Sequence, residues 1–301
     1  MNKKYSEVII IGAGPAGCAA AIQLKRSGFD PLIFEKDQIG GLANNANFIE
    51  NYLGFPNGIN GSEFVNLLEK HILRLKIKLV KEEIIEITWD SKKNLFYIQS
   101  NLNYYKANYL ILAIGTIPKR LSIIGEEELN ELDLLFYEPT NIKKQNLLNK
   151  RIAVIGAGDA AFDYSLQLEK IASQITIFNR KNTFHCLPLL MKRVEEKSDK
   201  IKIIKNKQII KFEYKENQNQ PYVVLEFADK SKSNFDIILI AIGRIINSFL
   251  IDQLAKENPD KKKLYKIGDV KNGYYRQISI AVGDGIKCAM KIINDIKIRS
   301  N

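Results

Sequence analysis

Two short runs of small residues have the composition of phosphate cradles. The first is Gly12-Ala13-Gly14-Pro15-Ala16-Gly17, with Glu35 roughly 20 residues further on. The second is Gly156-Ala157-Gly158-Asp159-Ala160-Ala161, followed by Asn179-Arg180-Lys181. In such a run the first glycine permits a tight turn and the second lets a backbone approach a pyrophosphate. The third small residue lets a helix pack on a strand. The free N–H groups and partial positive charge of the helix start then face the phosphates. Glu35 can accept hydrogen bonds from ribose hydroxyls, which suits FAD. At the matching place after the second run stand two cations instead of an acid. Arg180 and Lys181 suit the 2′-phosphate of NADP, so NADPH is expected there in preference to NADH.

These runs need strands and helices to hold them, and the flanking sequence supplies both. Glu7 to Ile11 reads as a buried strand, Cys18 to Arg26 as a helix and Pro31 to Phe34 as a second strand. The pattern returns as a strand at Arg151 to Ile155, a helix to about Ile171 and a strand at Gln174 to Phe178. Tyr109 to Gly115 and Asp236 to Gly243 each read as a buried strand ending in glycine. Tyr265 to Asp269 reads as a last strand and turn before a helix near Gly283 to Ile296. The expected fold class is α/β, with two Rossmann-like, three-layer, parallel-sheet domains, one inserted in the other. Residues 1–116 and 246–301 form the FAD domain, and residues 117–245 the NAD(P) domain. Two short links, near Thr116 to Leu121 and near Arg244 to Ser248, could act as a hinge.

Composition narrows the function classes. The 301 residues suit about two domains. No apolar run approaches the ~20 residues of a membrane helix, and the apolar start at Val8 to Ile11 is too short for a signal peptide. A cytoplasmic protein is expected, with no membrane partner. Three separated cysteines (Cys18, Cys186, Cys288) and two histidines (His71, His185) argue against a disulfide framework and against zinc. No metal is expected, and the thiols are expected reduced and buried. The net charge is +11, carried mostly by scattered lysines. That suits a solvated, lysine-rich surface first, with attraction to an acidic partner such as a small electron carrier as the functional alternative; nucleic-acid binding is poorly supported, since no basic patch with interleaved aromatics stands out.

Taken together, these motifs resemble the low-molecular-weight thioredoxin reductase family over nearly the whole chain. The resemblance rests on Gly12 to Gly17, Gly40-Gly41, Glu50-Asn51-Tyr52-Leu53-Gly54-Phe55 and Ala113-Ile114-Gly115-Thr116. It rests also on Gly156 to Ala161, Gly268-Asp269-Val270 and Tyr275-Arg276-Gln277. It implies that Gly40, Gly41 and Asn51 lie near a flavin ring, with Arg276 and Gln277 at its pyrimidine edge. The flavin set further includes Ala16, Lys36, Ala113, Gly115, Gly268, Asp269 and Ile278. The nucleotide set comprises Gly156, Gly158, Asp159, Ala160, Arg180, Lys181 and Gly243. His185 falls where the family often has an arginine. A homodimer is also implied.

One departure matters most. The family carries a C-x-x-C pair shortly before the second glycine run, where this chain reads Tyr137-Glu138-Pro139-Thr140-Asn141-Ile142. No cysteine stands between Cys18 and Cys186. Disulfide exchange needs a thiolate, so the usual dithiol relay is not expected. Cys18 begins a helix, where the dipole favours a thiolate, but it follows Gly17 and is expected to pack in the helix. No catalytic acid or base is identifiable. The expected enzyme is an FAD-dependent NAD(P)H oxidoreductase that hands electrons straight to an external acceptor. A small acidic carrier such as ferredoxin or flavodoxin is one candidate acceptor, and a small quinone or dioxygen another. A slow flavin-bound sensor is the non-enzymatic alternative.

Overall fold

The computed structural model describes residues 4–142, 147–218, 220–257 and 259–300. It divides into two compact units. One comprises Met1–Asn44, Ile49–Ile117 and Ile246–Asn301, and the other Asn45–Phe48 and Pro118–Ile245.

In the first unit, the strand Lys4–Ile11 pairs in parallel with Leu32–Phe34 on one side and Tyr104–Leu112 on the other. Leu32–Phe34 pairs with Lys78–Val80, and Tyr104–Leu112 also takes Leu264–Lys266, both in parallel. An antiparallel pair, Ile84–Asp90 and Leu95–Ser100, extends the sheet. Val8, Ile9, Ile10, Ile33, Leu110 and Ile111 are fully buried. Such unbroken apolar runs mark parallel strands covered on both faces. The helix Pro15–Arg26 makes the crossover between the first two strands.

In the second unit, five parallel strands run in the order Ile201–Ile204, Gln174–Phe178, Arg151–Ile155, Ile237–Ile240, Leu135–Phe136. The helix Asp159–Leu168 crosses between Arg151–Ile155 and Gln174–Phe178. A three-stranded antiparallel sheet, Ile209–Asn217, Gln220–Phe227 and Lys232–Phe235, packs beside it through Phe212, Leu225 and Phe227. The two links are themselves strands, Thr116–Pro118 and Arg244–Ile246, paired with each other.

Several elements differ from the sequence expectation. The first strand begins at Lys4, because residues 4–6 pair with Tyr105–Ala107 although they are largely exposed. The second helix ends at Leu168, where the expected end was about Ile171. The strand expected over Tyr265 to Asp269 spans only Leu264–Lys266. Gly268, at φ +70°, turns the chain into the one-turn helix Asp269–Asn272. The last helix starts at Ile278 and runs to Ser300, through Gly283 and Gly285. Glycine inside a helix usually costs stability. At Gly285 a Cβ would lie 2.2 Å from the carbonyl oxygen of Ala16, so glycine is what lets this helix pack against Pro15–Arg26.

Candidate functional site

In the first unit, Gly12 leaves its strand at φ +101°, and a Cβ there would stand 2.4 Å from the Ala113 carbonyl oxygen. A Cβ on Gly17 would meet the Gly12 carbonyl oxygen at 2.0 Å. Gly14 differs: nothing lies within 4 Å of where its Cβ would be. Two glycines are therefore packing requirements, and the third leaves an open backbone face at the helix start. That is the space a pyrophosphate needs. Ala13 N–H donates to Glu35 Oε2 at 2.8 Å, and Asp37 N–H donates to Glu35 Oε1 at 3.1 Å. The acid that would meet a ribose is thus fixed beside the turn.

Several residues distant in sequence meet that turn or one another. Gly40 N–H donates to the Ala13 carbonyl at 2.8 Å, and a Cβ on Gly41 would sit 3.5 Å from Gly14 Cα. Ala113 N–H donates to Ile11 at 2.8 Å, and Gly115 turns at φ +62°. A Cβ on Gly268 would sit 2.8 Å from that of Ala16, which places Asp269 at the start of its short helix near the turn. Asn51 Nδ2 donates to Gln277 Oε1 at 2.8 Å. Arg276 Nε donates to the Gly273 carbonyl, and Ile278 opens the last helix. Lys36 faces Glu83 at 3.4 Å on an exposed surface, so its side chain is not drawn to the glycine turn.

Sequence reading missed Asp284. It accepts from Gly268 N–H (3.2 Å), Lys271 Nζ (2.7 Å) and Asn272 Nδ2 (2.6 Å). It thereby clamps the 268–272 turn onto the last helix. Desolvation pushes its carboxyl up, but these three donors together hold it below the usual aspartate range. The only signal in the sequence is an acid between two glycines.

In the second unit, a Cβ on Gly156 would lie 2.3 Å from the Ala241 carbonyl oxygen. Gly158 precedes the helix that Asp159 and Ala160 begin. Asn179 is buried and pins the next turn, donating to the Thr183 carbonyl (2.7 Å) and accepting from Lys181 N–H (3.1 Å). The loop then folds back on the glycine turn. His185 N–H donates to Ala157 at 2.9 Å, and Leu187 N–H to Asp159 Oδ1 at 2.7 Å. Arg180, Lys181 and His185 are all exposed on this loop. Gly243 lies near the link at φ +103°.

The segment 137–142 is a short connection and a one-turn helix, Pro139–Ile142. Tyr137 donates to Glu126 at 2.8 Å, and Glu138 pairs with Arg244 at 3.0 Å. The segment where the family resemblance implies a C-x-x-C pair thus contributes Glu138 to an ion pair. Burial makes Cys18 a poor thiolate: it is fully buried, with its thiol pushed far above the ordinary range by desolvation and then by Glu35. The helix also begins at Pro15 rather than at Cys18, whose N–H is already bonded to the Gly14 carbonyl, so little helix-start effect remains to favour a thiolate. Cys288 is buried and pushed up to about 12. Cys186 corrects the expectation of three buried thiols, since it is only half-buried.

Comparison with known proteins fits this geometry. The family model for pyridine nucleotide-disulphide oxidoreductases matches residues 6–285. The chain belongs to that family. It is 28% identical to the thioredoxin reductase of Ureaplasma parvum, with 96% of each chain covered. It is 33% identical to the thioredoxin reductase of Buchnera aphidicola over 67% of this chain. The chain spans 62% of that relative's length and 65% of the length of a Mycobacterium leprae bifunctional thioredoxin reductase/thioredoxin. The crystal structure of T. acidophilum thioredoxin reductase superposes with a TM-score of 0.82 at 28% identity, covering 98% of this chain and 99% of that one. Thioredoxin reductases of this family are FAD-dependent and use NADPH, and the two glycine turns fit one dinucleotide each.

Proposed function

We propose that this protein is an FAD-dependent NADPH oxidoreductase whose flavin serves an external acceptor directly, with no dithiol between. The observation that carries this reading is segment 137–142, which offers the Glu138–Arg244 pair where relatives are expected to hold their redox cysteines. In the proposal, Gly14 admits the FAD pyrophosphate and Glu35 meets the ribose. Ala16, Gly40, Gly41, Asn51, Ala113, Gly115, Gly268, Asp269, Arg276, Gln277 and Ile278 complete that pocket. Gly158, Asp159, Ala160 and Gly243 line the NADPH site, and Arg180 and Lys181 hold its 2′-phosphate. Bound flavin supplies the hydride-accepting chemistry. The chain's own residues bind, orient and bias charge, and Arg276 would stabilise negative charge at the ring edge.

A small acidic carrier such as ferredoxin or flavodoxin is the acceptor best matched to the net charge of +11. A small quinone is the second choice. The deciding experiment is anaerobic stopped-flow reduction by NADPH and NADH, followed by reoxidation with ferredoxin, flavodoxin, a quinone and oxidised thioredoxin. Fast bleaching by NADPH with turnover on a one-electron carrier or quinone is expected. Efficient turnover on oxidised thioredoxin would overturn the reading.

A further inference from the structure

A cavity lies in the first unit, at the end of the parallel strands away from the Gly12 turn. Its volume is about 480 Å³, within the usual range for a small-molecule site. Lys263 and Phe29, which line it, precede the strands Leu264–Lys266 and Leu32–Phe34. Lys263 is only 4% exposed. Its ammonium donates to the Asn94 carbonyl at 3.1 Å and lies 5.9 and 5.8 Å from the ring centres of Trp89 and Tyr109. Among the described residues no carboxylate is paired with it.

The neighbouring acids are engaged elsewhere. Glu7, which itself lines the cavity, accepts from Tyr5 and from Asn108 Nδ2 at 2.8 Å. Asp295 accepts from Tyr109 at 2.5 Å and pairs with Arg299 at 3.0 Å. Asp260 accepts from Lys262 N–H at 2.8 Å. A buried ammonium has three donors and is costly without a counter-charge. Burial, with Arg299 beside it, holds Lys263 below the ordinary lysine range against the opposing pull of Asp260, Glu7 and Asp295. An anion entering the cavity would give Lys263 the directly paired carboxylate it lacks among the described residues. Arg299 also lines the cavity, and Phe29 and Ile296 supply an apolar wall.

We infer that this cavity is a binding site for a small organic acid, its carboxylate on Lys263 and Arg299 and its apolar body on Phe29 and Ile296. The reading is independent of what the flavin reduces. Benzoate is the probe, titrated calorimetrically into the full-length, FAD-loaded protein, with uncharged benzamide as control. One benzoate per chain is expected, with benzamide at least about tenfold weaker. Lys263→Met should weaken benzoate by about tenfold or more and Arg299→Gln by a smaller factor. Flavin content and NADPH reduction rate should not change in either variant. If Lys263→Met does not fold, the benzamide comparison and Arg299→Gln still decide. Three results would each overturn the site: no saturable benzoate binding at millimolar concentration, equal binding of benzamide, or unaltered binding in every folded variant. Benzoate that perturbs the flavin spectrum and still binds Lys263→Met sits at the flavin, and that too overturns it.

Discussion

At the residue scale, the proposed nucleotide preference and one local contribution to stability both turn on charge. Arg180 and Lys181 stand exposed on a loop pinned by Asn179 and His185, so replacing both by alanine removes charge while leaving the loop's backbone bonds. A charge-assisted hydrogen bond is worth about 1.5–3 kcal/mol. The double variant should lose roughly tenfold or more in kcat/KM for NADPH, by the same estimate, and little for NADH. Equal losses for both nucleotides would remove these residues from 2′-phosphate recognition. Asp284 predicts a pH effect. Its folded-state pKa is depressed, so its contribution is whole above the unfolded value of about 4 and is lost as pH falls through the folded value. Urea midpoints followed downward from about pH 5 should fall more steeply for the native protein than for Asp284→Asn. Parallel curves would assign the acid sensitivity to other groups.

At the element scale, the crossing of Pro15–Arg26 with Ile278–Ser300 is the contact most sensitive to one methyl group. Gly285→Ala puts a Cβ against the Ala16 carbonyl, and overpacking of this kind costs about 1–3 kcal/mol. Because Ala16 belongs to the glycine turn, lower urea resistance and lower flavin content should appear together. Loss of neither would mean that the helices can separate freely. This crossing also marks where sequence legibility ended. The strands around Gly12 and Gly156 were readable because unbroken apolar runs followed by glycine have few other solutions. Arg151–Ile155 and Gln174–Phe178 agree with expectation residue for residue. The start of the last helix was not readable, since Gly283 and Gly285 look like breakers until the partner helix is in place. Asp284 was hidden for the same reason, because all its donors come from a turn whose position the chain does not announce. The Glu138–Arg244 pair joins residues 106 positions apart, a contact that no local pattern in the sequence signals.

At the scale of the whole molecule, the charge of +11 acts on encounter rates more than on fold. If an acidic protein carrier is the acceptor, its reduction should slow markedly from low to physiological ionic strength, where screening sets in at about 8–10 Å. Reduction of a neutral quinone should not. A salt-independent rate with ferredoxin or flavodoxin would remove electrostatic steering from the mechanism. The paired link strands Thr116–Pro118 and Arg244–Ile246 carry a different consequence. Residues 118–245 leave the first unit and return to it at neighbouring backbone positions, about one strand spacing of 4.8 Å apart. Such an insert behaves as a cassette. Its interior can drift or be exchanged without breaking a strand of the host sheet. Residues 137–142 can change while the glycine turn at 12–17, in the other unit, keeps its geometry.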